Sequence, residues 1–220
     1  NSGAVKCWGE NSFGQLGDGT SGIIRRTPVD VIGLNSGVTA IAVSGIHTCA
    51  VISNSSVKCW GSNFRGGLGD GTTTDRSTPV DVVGLSSGVT SIAVGGFHTC
   101  ALSTSGGVKC WGSNTTGQLG DGTKIDRYTP VDVAGLNSGV IALTTGLGHT
   151  CALMNSGGIK CWGDNSSGEL GDGTTTQRLT PVNVVGLSGD VTAIMTSIYH
   201  SCALTSSGGV KCWGRNDQGQ

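Results

Sequence analysis

The residues in this sequence whose types could perform chemistry recur in register. Each copy carries a His-(Thr/Ser)-Cys-Ala motif, a second cysteine ten residues after the first, and a Leu-Gly-Asp-Gly-Thr motif followed by an arginine. Cysteine and histidine are ligands that zinc prefers, and the aspartates could belong to an acid pair or a calcium loop. The histidines are 51 residues apart throughout: His47, His98, His149 and His200.

Eight of the nine cysteines form four pairs of identical spacing. The pairs are Cys49 with Cys59, Cys100 with Cys110, Cys151 with Cys161, and Cys202 with Cys212. If the hairpin turn of the second pair centres on Ser105, Leu102 faces Val108 and the two cysteines face each other, close enough for a disulfide. Such a bond would stabilise each hairpin by about 2 to 3 kcal/mol. Zinc, which the Cys-x9-Cys spacing disfavours, and buried free thiols are the alternatives.

Disulfides would place the chain in an oxidising compartment, which predicts an extracellular or cell-surface location. Three Asn-x-Ser/Thr sequons, at Asn54, Asn114 and Asn165, are compatible with such exposure and are potential glycosylation sites.

The recurrent aspartates and arginines favour architecture over catalysis. They are Asp18, Asp70, Asp121 and Asp172, with Arg25, Arg76, Arg127 and Arg178. A catalytic site needs different residues in different roles that converge once, whereas identical copies spread around an array do the opposite. We therefore expect turn aspartates bridged by arginine, histidines that pack and form hydrogen bonds at strand starts, and solvated lysines on the third strand. No catalytic, metal or cofactor site is predicted.

The same period governs the tryptophans. Trp8, Trp60, Trp111, Trp162 and Trp213 are spaced by 52, 51, 51 and 51 residues. A fixed period of this length is typical of an array in which each unit buries its apolar face against its neighbours. Counted from tryptophan to cysteine, the units cover about residues 8–59, 60–110, 111–161 and 162–212, with a partial unit at 213–220.

Four short segments of one unit are typical of β strands. They cover residues 89–95, 98–103, 108–113 and 130–136, and Gly, Ser, Asn and Asp clusters separate them. No segment has a sustained helical period. Four strands in about 51 residues predict an all-β fold of β-propeller blades, each with four antiparallel strands and a tryptophan packed between blades.

These motifs resemble the repeat of the regulator of chromosome condensation family. The resemblance rests on Trp-Gly-x-Asn-x-x-Gly-Gln-Leu-Gly-Asp-Gly-Thr, followed by Thr-Pro-Val and His-Thr-Cys-Ala-Leu, and covers essentially the whole chain. It implies a propeller, typically of seven blades. Members include a nucleotide exchange factor that docks on nucleosomes, an ultraviolet-B receptor and a secreted bacterial inhibitor of β-lactamases. The cysteine pairs are most similar to the secreted bacterial members, because the basic tail and the clustered tryptophans of the first two are absent.

Binding specificity is expected where the copies differ, because aromatic residues and arginine on loops are enriched at binding hot spots. The candidate interaction residues are Phe13, Ile23, Ile24, Phe64, Arg65, Phe97, Lys124, Ile125, Tyr128 and Tyr199. The formal net charge of -1 and the absence of a basic run disfavour nucleic acid as a partner. No apolar stretch approaches the roughly 20 residues needed to cross a bilayer, so membrane insertion is not expected.

The phase of the repeat predicts an unfinished array. Cys7 stands at the second-cysteine position of its unit, and its partner would precede Asn1. Residues 213–220 duplicate the third-strand region near Trp8, so a closed ring of four blades is disfavoured. We expect four full repeats and a partial one from a larger propeller or array, or a protomer whose open ends meet copies of itself.

The sequence thus predicts a secreted, disulfide-stapled, non-catalytic propeller module for protein interaction or extracellular structure. Two alternatives stay open: a protomer of an extracellular fibre built from head-to-tail repeats, and a soluble inhibitor or ligand-binding propeller. The expected partner is a protein or a copy of the chain itself.

Overall fold

The computed structural model describes residues 2–220 as short β strands joined by tight turns. Seventeen strands and one single-turn 3₁₀ helix, Phe64–Gly66, make up the regular structure of these residues. Strands form where β-branched and apolar residues concentrate, and glycines at positive φ close many of the turns between them. No helix in residues 2–220 is long and apolar enough to cross a bilayer.

The strands form five antiparallel sheets in which hydrogen-bonded neighbours are also consecutive in sequence. Three sheets have four strands: β3 (Val38–Val43), β4 (His47–Ile52), β5 (Val57–Gly61) and β6 (Arg76–Asp81); β7 (Val89–Val94), β8 (His98–Ser103), β9 (Val108–Gly112) and β10 (Arg127–Asp132); and β11 (Val140–Thr145), β12 (His149–Met154), β13 (Gly158–Gly163) and β14 (Arg178–Ser188). The other two sheets are β1 (Lys6–Gly9) with β2 (Arg25–Asp30), and β15 (Val191–Thr196), β16 (His200–Thr205) and β17 (Val210–Gly214).

Three of the four strands predicted within one unit are confirmed to within one residue, and the fourth is displaced. Residues 130–136 were expected to form it, but β10 begins at Arg127 and ends at Asp132. Val133 and Leu136 lie in the turn after the strand, where both are 1% exposed in the core. Their apolar character therefore reflects burial under a turn and not membership of a strand.

Successive sheets pack face to face as the blades of a propeller. The first strands β3, β7, β11 and β15 are neighbours of one another in that order, and β4, β8 and β12 pack against the first strand of the next sheet. One shared core joins Cys49 and Val51 of β4 to Val89 and Ile92 of β7. The prediction of an all-β propeller with four-stranded antiparallel blades is confirmed.

Four of the five tryptophans, Trp60, Trp111, Trp162 and Trp213, pack between blades as the sequence predicted, whereas Trp8 is 62% exposed. Trp111 on β9 is fully buried against residues of the preceding sheet, including Val57 and Leu68. Its indole N–H donates to the carbonyl oxygen of Gly67 at 3.0 Å. Trp162 repeats this contact with the Gln118 carbonyl at 2.9 Å. Each of these indoles therefore joins apolar burial to one hydrogen bond across a blade interface.

All four predicted disulfides are present, and each joins the second and third strands of its sheet. Cys100 pairs with Cys110 directly across β8 and β9, and Leu102 pairs with Val108, as expected from a turn at Ser105. The Cα atoms of each bonded pair are 4.1 Å apart, the short separation typical of a non-hydrogen-bonded antiparallel pair. These bonds replace the zinc and free-thiol alternatives.

Gly69 tests how tightly the tryptophan contact is packed. It has φ of 71°, and a Cβ there would lie 2.6 Å from Trp111 Nε1. Gly71 has φ of 81°, but a Cβ there would have no atom closer than Thr129 Cγ2 at 3.9 Å. We expect Gly71→Ala to lower the free energy of unfolding by about 1–2 kcal/mol through backbone strain alone. Gly69→Ala should carry the same strain and lower the free energy of unfolding by roughly 1–3 kcal/mol more, because the methyl group overpacks the tryptophan contact.

Urea denaturation of the two variants measures this difference. Equal destabilisation would mean that Trp111 yields to the added methyl group and is not fixed between the blades.

Candidate functional site

The loop between the third and fourth strands of each blade is organised by a buried asparagine. Asn63 is 0% exposed, and its Oδ1 accepts from the Leu68 amide at 3.0 Å. Its Nδ2 donates to Asp70 Oδ1 at 3.0 Å and to the Thr72 carbonyl at 3.1 Å. Asn11, Asn114 and Asn165 make the equivalent contacts. The asparagine therefore fixes both halves of the loop.

The recurrent aspartates belong to the same network. Asp70 Oδ1 accepts from the amide and hydroxyl of Thr72, at 2.9 and 2.7 Å, and Oδ2 accepts from Arg76 Nε at 2.9 Å. Burial alone would raise the pKa of Asp70, but the hydrogen bonds from Thr72 and Arg76 outweigh it and hold the pKa below its usual value. The prediction of turn aspartates is confirmed, because both oxygens of these carboxylates accept hydrogen bonds from groups of their own loop. Residues 2–220 contain no group of three or more His, Cys, Asp or Glu side chains able to hold a metal.

The histidines connect one blade to the next. His47 Nε2 lies 2.9 Å from Thr99 Oγ1, and Thr99 Oγ1 donates to the Gly67 carbonyl at 2.9 Å. Because the threonine proton goes to that carbonyl, His47 Nε2 must carry the proton and donate to threonine. His98 with Thr150, and His149 with Ser201, repeat the contact at 2.9 and 3.1 Å.

These histidines are neutral near pH 7. Burial lowers the pKa of His47 and His149 to about 4. At His98 burial is the largest cause of the lowered pKa, and the neighbouring imidazoles of His149 and His47 lower the pKa further, to about 3. The histidines are therefore structural elements at strand starts, as predicted, and not acid–base groups poised for neutral pH.

The lowered histidine pKa values predict acid sensitivity. Since the folded pKa values lie below the ordinary 6.5 of the unfolded chain, the unfolded state binds more protons between about pH 6.5 and pH 4. The free energy of unfolding should be fully present above that window and fall by about 1.4 kcal/mol per pH unit for each histidine as the pH drops through it. The aspartates also have lowered pKa values, and their contribution to the free energy of unfolding is lost only as the pH falls below about 4.

Urea denaturation at pH 7, 6 and 5 checks this window. His98→Gln keeps an amide donor for Thr150, so that variant should show the pH dependence with one histidine's share removed. A constant free energy of unfolding down to pH 5 would contradict the buried neutral state.

Glu169 is a polar residue that differs between copies and is buried. It occupies the position of Gln15 and Gln118, is 1% exposed, and its Oε1 has no hydrogen-bond partner among residues 2–220. Glu169 Oε2 accepts from the Ser167 amide at 2.8 Å. In the first copy the corresponding nitrogen, Gln15 Nε2, donates to the Gly45 carbonyl at 3.2 Å. A carboxylate cannot make that donation.

We therefore expect Glu169→Gln to raise the free energy of unfolding by about 1–2 kcal/mol, because the amide supplies the missing donor. The reciprocal change Gln118→Glu should lower it by a similar amount. Thermal and urea unfolding of both variants measure the effect. A Glu169→Gln chain no more stable than the parent would show that Oε1 already has a partner, such as an ordered water.

Four of the predicted interaction residues form one cluster. The Phe64 and Phe97 rings meet edge to face with centroids 5.7 Å apart, and the Arg65 guanidinium lies 5.2 Å from the Phe64 centroid. Tyr128 of the next blade packs directly on Gly66. We call Phe64, Arg65, Phe97 and Tyr128 the aromatic cluster; it spans the junction between two blades on the surface.

Arg65 is held in a costly backbone conformation within this cluster. Its φ of 58° lies in the left-handed region, which costs a residue with a side chain about 1–2 kcal/mol. An ion pair of 2.7 Å between Arg65 Nη1 and Asp126 Oδ2 of the next blade, together with the Phe64 ring, holds the side chain in place. Strain of this kind is found most often at functional positions.

The remaining candidates are exposed but do not join the cluster. Tyr199 lies under Arg215, whose Cζ is 5.3 Å from the ring centroid, and Lys124 Nζ donates to Gln177 at 2.7 Å. The others, all with large exposed fractions, are Phe13, Ile23, Ile24 and Ile125.

An apolar hollow of about 400 Å³ lies beside the aromatic cluster. The turns between the first and second strands of four blades form it. Phe97 belongs both to this hollow and to the aromatic cluster. Ile46, Leu147 and Ile198 line it with Phe97. Sequence reasoning missed Leu147 and Ile198; comparison of the two residues before each histidine, where the other copies have Gly45 and Gly96, would have found them.

The structure corrects two of the three predicted glycosylation sites. Asn114 and Asn165 are 0% exposed, and their Nδ2 atoms donate within the loop network. A glycan on either nitrogen would replace these bonds. Asn54 is exposed and is compatible with modification.

The charges around the aromatic cluster are neutralised in pairs. Asp70 with Arg76 and Asp121 with Arg127 are ion pairs of 2.8 Å within their loops, and Arg65 pairs with Asp126. Third-strand lysines such as Lys58 and Lys109 form exposed pairs with Asp81 and Asp132, so they are solvated as predicted. The cluster and hollow therefore form a surface dominated by apolar contact.

These features define a β-propeller repeat protein whose recurrent polar residues maintain its loops and blade interfaces. Models of the regulator of chromosome condensation (RCC1) repeat match residues 2–51, 56–102, 105–153 and 156–204. The chain belongs to this family, which confirms the resemblance noted in the sequence.

Known members extend well beyond the length of this chain. It is 32% identical over 220 residues to the ultraviolet-B receptor UVR8 of Arabidopsis thaliana, covering 98% of this chain and 50% of the receptor. It is 34% identical over 214 residues to the probable E3 ubiquitin-protein ligase HERC6 of Homo sapiens, covering 94% and 21%. The chain thus spans half or less of these curated relatives.

A solved structure has the same arrangement of blades. Prp20p of Saccharomyces cerevisiae, described with its binding properties to Gsp1p and histones, superposes with a TM-score of 0.81 at 27% identity. The match covers 96% of this chain and 53% of Prp20p.

Proposed function

We propose that this chain is a non-catalytic protein-interaction module that binds a partner protein through the aromatic cluster and the adjoining hollow. The observation that carries the proposal is the grouping of Phe64, Arg65, Phe97 and Tyr128 at one blade junction, next to an apolar hollow that Phe97 shares. Aromatic residues and arginine beside a pocket are the composition of binding hot spots.

Two further observations favour a protein over a charged polymer or a substrate. The net charge is -1, and the arginines of the cluster and its loops are already paired with aspartates, so little free positive charge remains for a polyanion. The recurrent Asp, Arg and His side chains have the same partners in successive copies, which leaves no set that converges once for catalysis. Prp20p, a relative of similar fold, is described with protein partners.

We propose an extracellular or cell-surface location. Four disulfides, each joining the second and third strands of a blade and three of them buried, support it, because structural disulfides persist in oxidising compartments. Thiol alkylation of the protein from its source, before and after reduction, tests this. Eight reduced cysteines in the native protein would contradict the location.

The interaction surface can be tested with matched exposed residues. Phe64→Ser with Ile198→Ser removes two apolar side chains that are each 55% exposed on the proposed surface. Val83→Ser with Val185→Ser removes two that are 49% and 70% exposed, the first on the connection after β6 and the second near the end of β14. We expect the first pair to weaken partner binding at least about tenfold, as for hot-spot residues, and the second to leave it within about twofold, the scale of surface substitutions.

The measurement is cross-linking with the purified chain in material from its source, followed by calorimetry with the captured partner. A partner whose affinity is lost with the valine control, or retained with the Phe64 and Ile198 variant, would place the interaction surface elsewhere.

A second proposed role is the head-to-tail fibre. It is supported by the repetition of one blade interface along the chain, as in the Trp111 and Trp162 contacts, because an interface of this head-to-tail kind can also continue from one molecule to the next. Negative-stain images across a concentration series test it; a monodisperse particle at every concentration would exclude it. The soluble-inhibitor alternative uses the same surface as the leading proposal and is decided by the partner that is captured.

A further inference from the structure

A cavity of about 450 Å³ lies at the opposite end of β8 from the aromatic cluster. Phe97 stands just before β8, whereas Ser103, the last residue of the strand, lines the cavity. Leu85 on the connection from β6 to β7 forms one wall, and Ser105 in the hairpin between β8 and β9 forms the other. A volume of this size is in the range of small-molecule binding sites.

The cavity is present where one copy of the repeat has a small residue and its neighbours have large ones. Ser103 occupies the position of Ile52 in the preceding copy and of Met154 in the following copy. Both of these side chains pack against the apolar cores of their own blade junctions. The serine cannot fill the same space, so the region beside Leu85 stays open. The repeat itself therefore does not require this cavity.

The floor of the cavity is apolar and buried. Leu85, Val89, Ala101 and Leu136 line it, and each is at most 6% exposed. Aliphatic side chains of this kind attract the C–H groups of a ligand through dispersion and through the exclusion of water. Among residues 2–220, the lining includes no aromatic ring on which a planar base could stack. The floor therefore suits a saturated ring.

The rim of the cavity carries hydroxyl groups. Ser103 Oγ accepts from the Gly107 amide at 2.9 Å and lies 2.9 Å from Ser105 Oγ. One hydroxyl proton makes the contact between the two serines, which leaves the other proton to be donated to a ligand. Ser87 and Asn137 add a further hydroxyl and an amide to the lining.

A lysine and an aspartate stand together at the same rim. Lys109 Nζ donates to Asp132 Oδ1 at 2.7 Å, and their side chains are 42% and 71% exposed. The lysine has two further N–H donors, and the carboxylate has a second oxygen. Adjacent hydroxyl groups of a ligand can accept from the lysine and donate to the aspartate. Because the pair neutralises its own charge, the rim favours a neutral ligand over an ion.

We propose that this cavity binds a neutral pyranose ring, supplied as a free monosaccharide or as the end of a glycan. A pyranose has C–H groups on its faces and hydroxyl groups around its edge, which matches an apolar floor inside a polar rim. One face lies on Leu85 and Val89. Two adjacent hydroxyls bind Lys109 and Asp132, and a third accepts the remaining proton of the serine pair.

Binding is measured on the whole chain by NMR titration of its amide signals with glucose and with methyl β-D-glucopyranoside. We expect saturable shifts of the Ser103, Ser105 and Gly107 amides with a Kd of about 1 mM, which is ordinary for a ligand of about a dozen non-hydrogen atoms. Cyclohexanol keeps the saturated ring but lacks most edge hydroxyls, so it should bind at least about fivefold more weakly.

The two sugars distinguish the two sources of the ring. The methyl group of the glucoside stands where the linkage of a glycan would be. Binding of both sugars supports the end of a glycan, whereas binding of glucose alone supports a free monosaccharide.

Three variants test the residues of the cavity. Ser103→Met introduces the side chain found at the equivalent Met154, and the filled cavity should bind at least about tenfold more weakly because the ring is excluded. Ser138→Met changes an exposed residue outside the lining and should leave binding within about twofold. Asp132→Asn keeps an acceptor for Lys109 and should weaken binding about fivefold through loss of the charged acceptor. The fold tolerates such a pair, because Lys160 donates to Asn183 at 2.9 Å.

Three results would overturn the proposal: neither sugar shifts the amides of the cavity, cyclohexanol binds as tightly as glucose, or a folded Ser103→Met chain binds both sugars like the parent. Sugar binding should be unchanged in the Phe64→Ser, Ile198→Ser variant, because those residues lie outside the lining of this cavity. Failure of this site and failure of the proposed protein interaction are therefore distinguishable.

Discussion

The structure depends above all on the interface between successive blades. In the three interfaces from the β3 sheet to the β15 sheet, a tryptophan packs against the preceding sheet and a histidine donates to the threonine or serine of the next blade, as Trp111 and His47 do around the Gly67 carbonyl. That carbonyl accepts from both Trp111 Nε1 and Thr99 Oγ1, so one backbone position holds two elements of the next blade. The recurrence of such contacts explains why a sequence with few aromatic residues forms an ordered array of sheets.

The loops are fixed by a second, independent network. Asn63, Asp70 and Arg76 bind one another and the loop backbone, so the two residues that follow the asparagine can vary without loss of this network. The copies differ at those positions, from Phe64 and Arg65 in one loop to Thr115 and Thr116 in the next. A rigid loop frame with variable surface residues is the arrangement by which repeat propellers acquire different partners on one scaffold.

Much of the fold followed from the sequence because its causes are local or periodic. The cysteine pairs and the Leu102–Val108 pairing follow from the geometry of a short antiparallel hairpin, and the tryptophan interface follows from the repeat. The fourth strand was misplaced because Val133 and Leu136 are apolar for reasons of tertiary burial, which composition does not distinguish from strand pairing. The burial of Asn114 was missed for the same reason: an Asn-Thr-Thr triplet reads as an exposed turn until its nitrogen is seen inside the loop network.

The interaction surface could likewise be predicted only in part from the sequence. Its residue types were visible in the sequence as differences between copies, but which of them meet was not. Phe64 and Phe97 are 33 positions apart, and Tyr128 belongs to the next blade. By itself, then, the sequence determined the repeat, the blade and the disulfides, since each is set by neighbours along one or two strands. Only the tertiary structure decided which variable residues share a surface and that Glu169 is buried without a donor, because these depend on how separate blades stack in space.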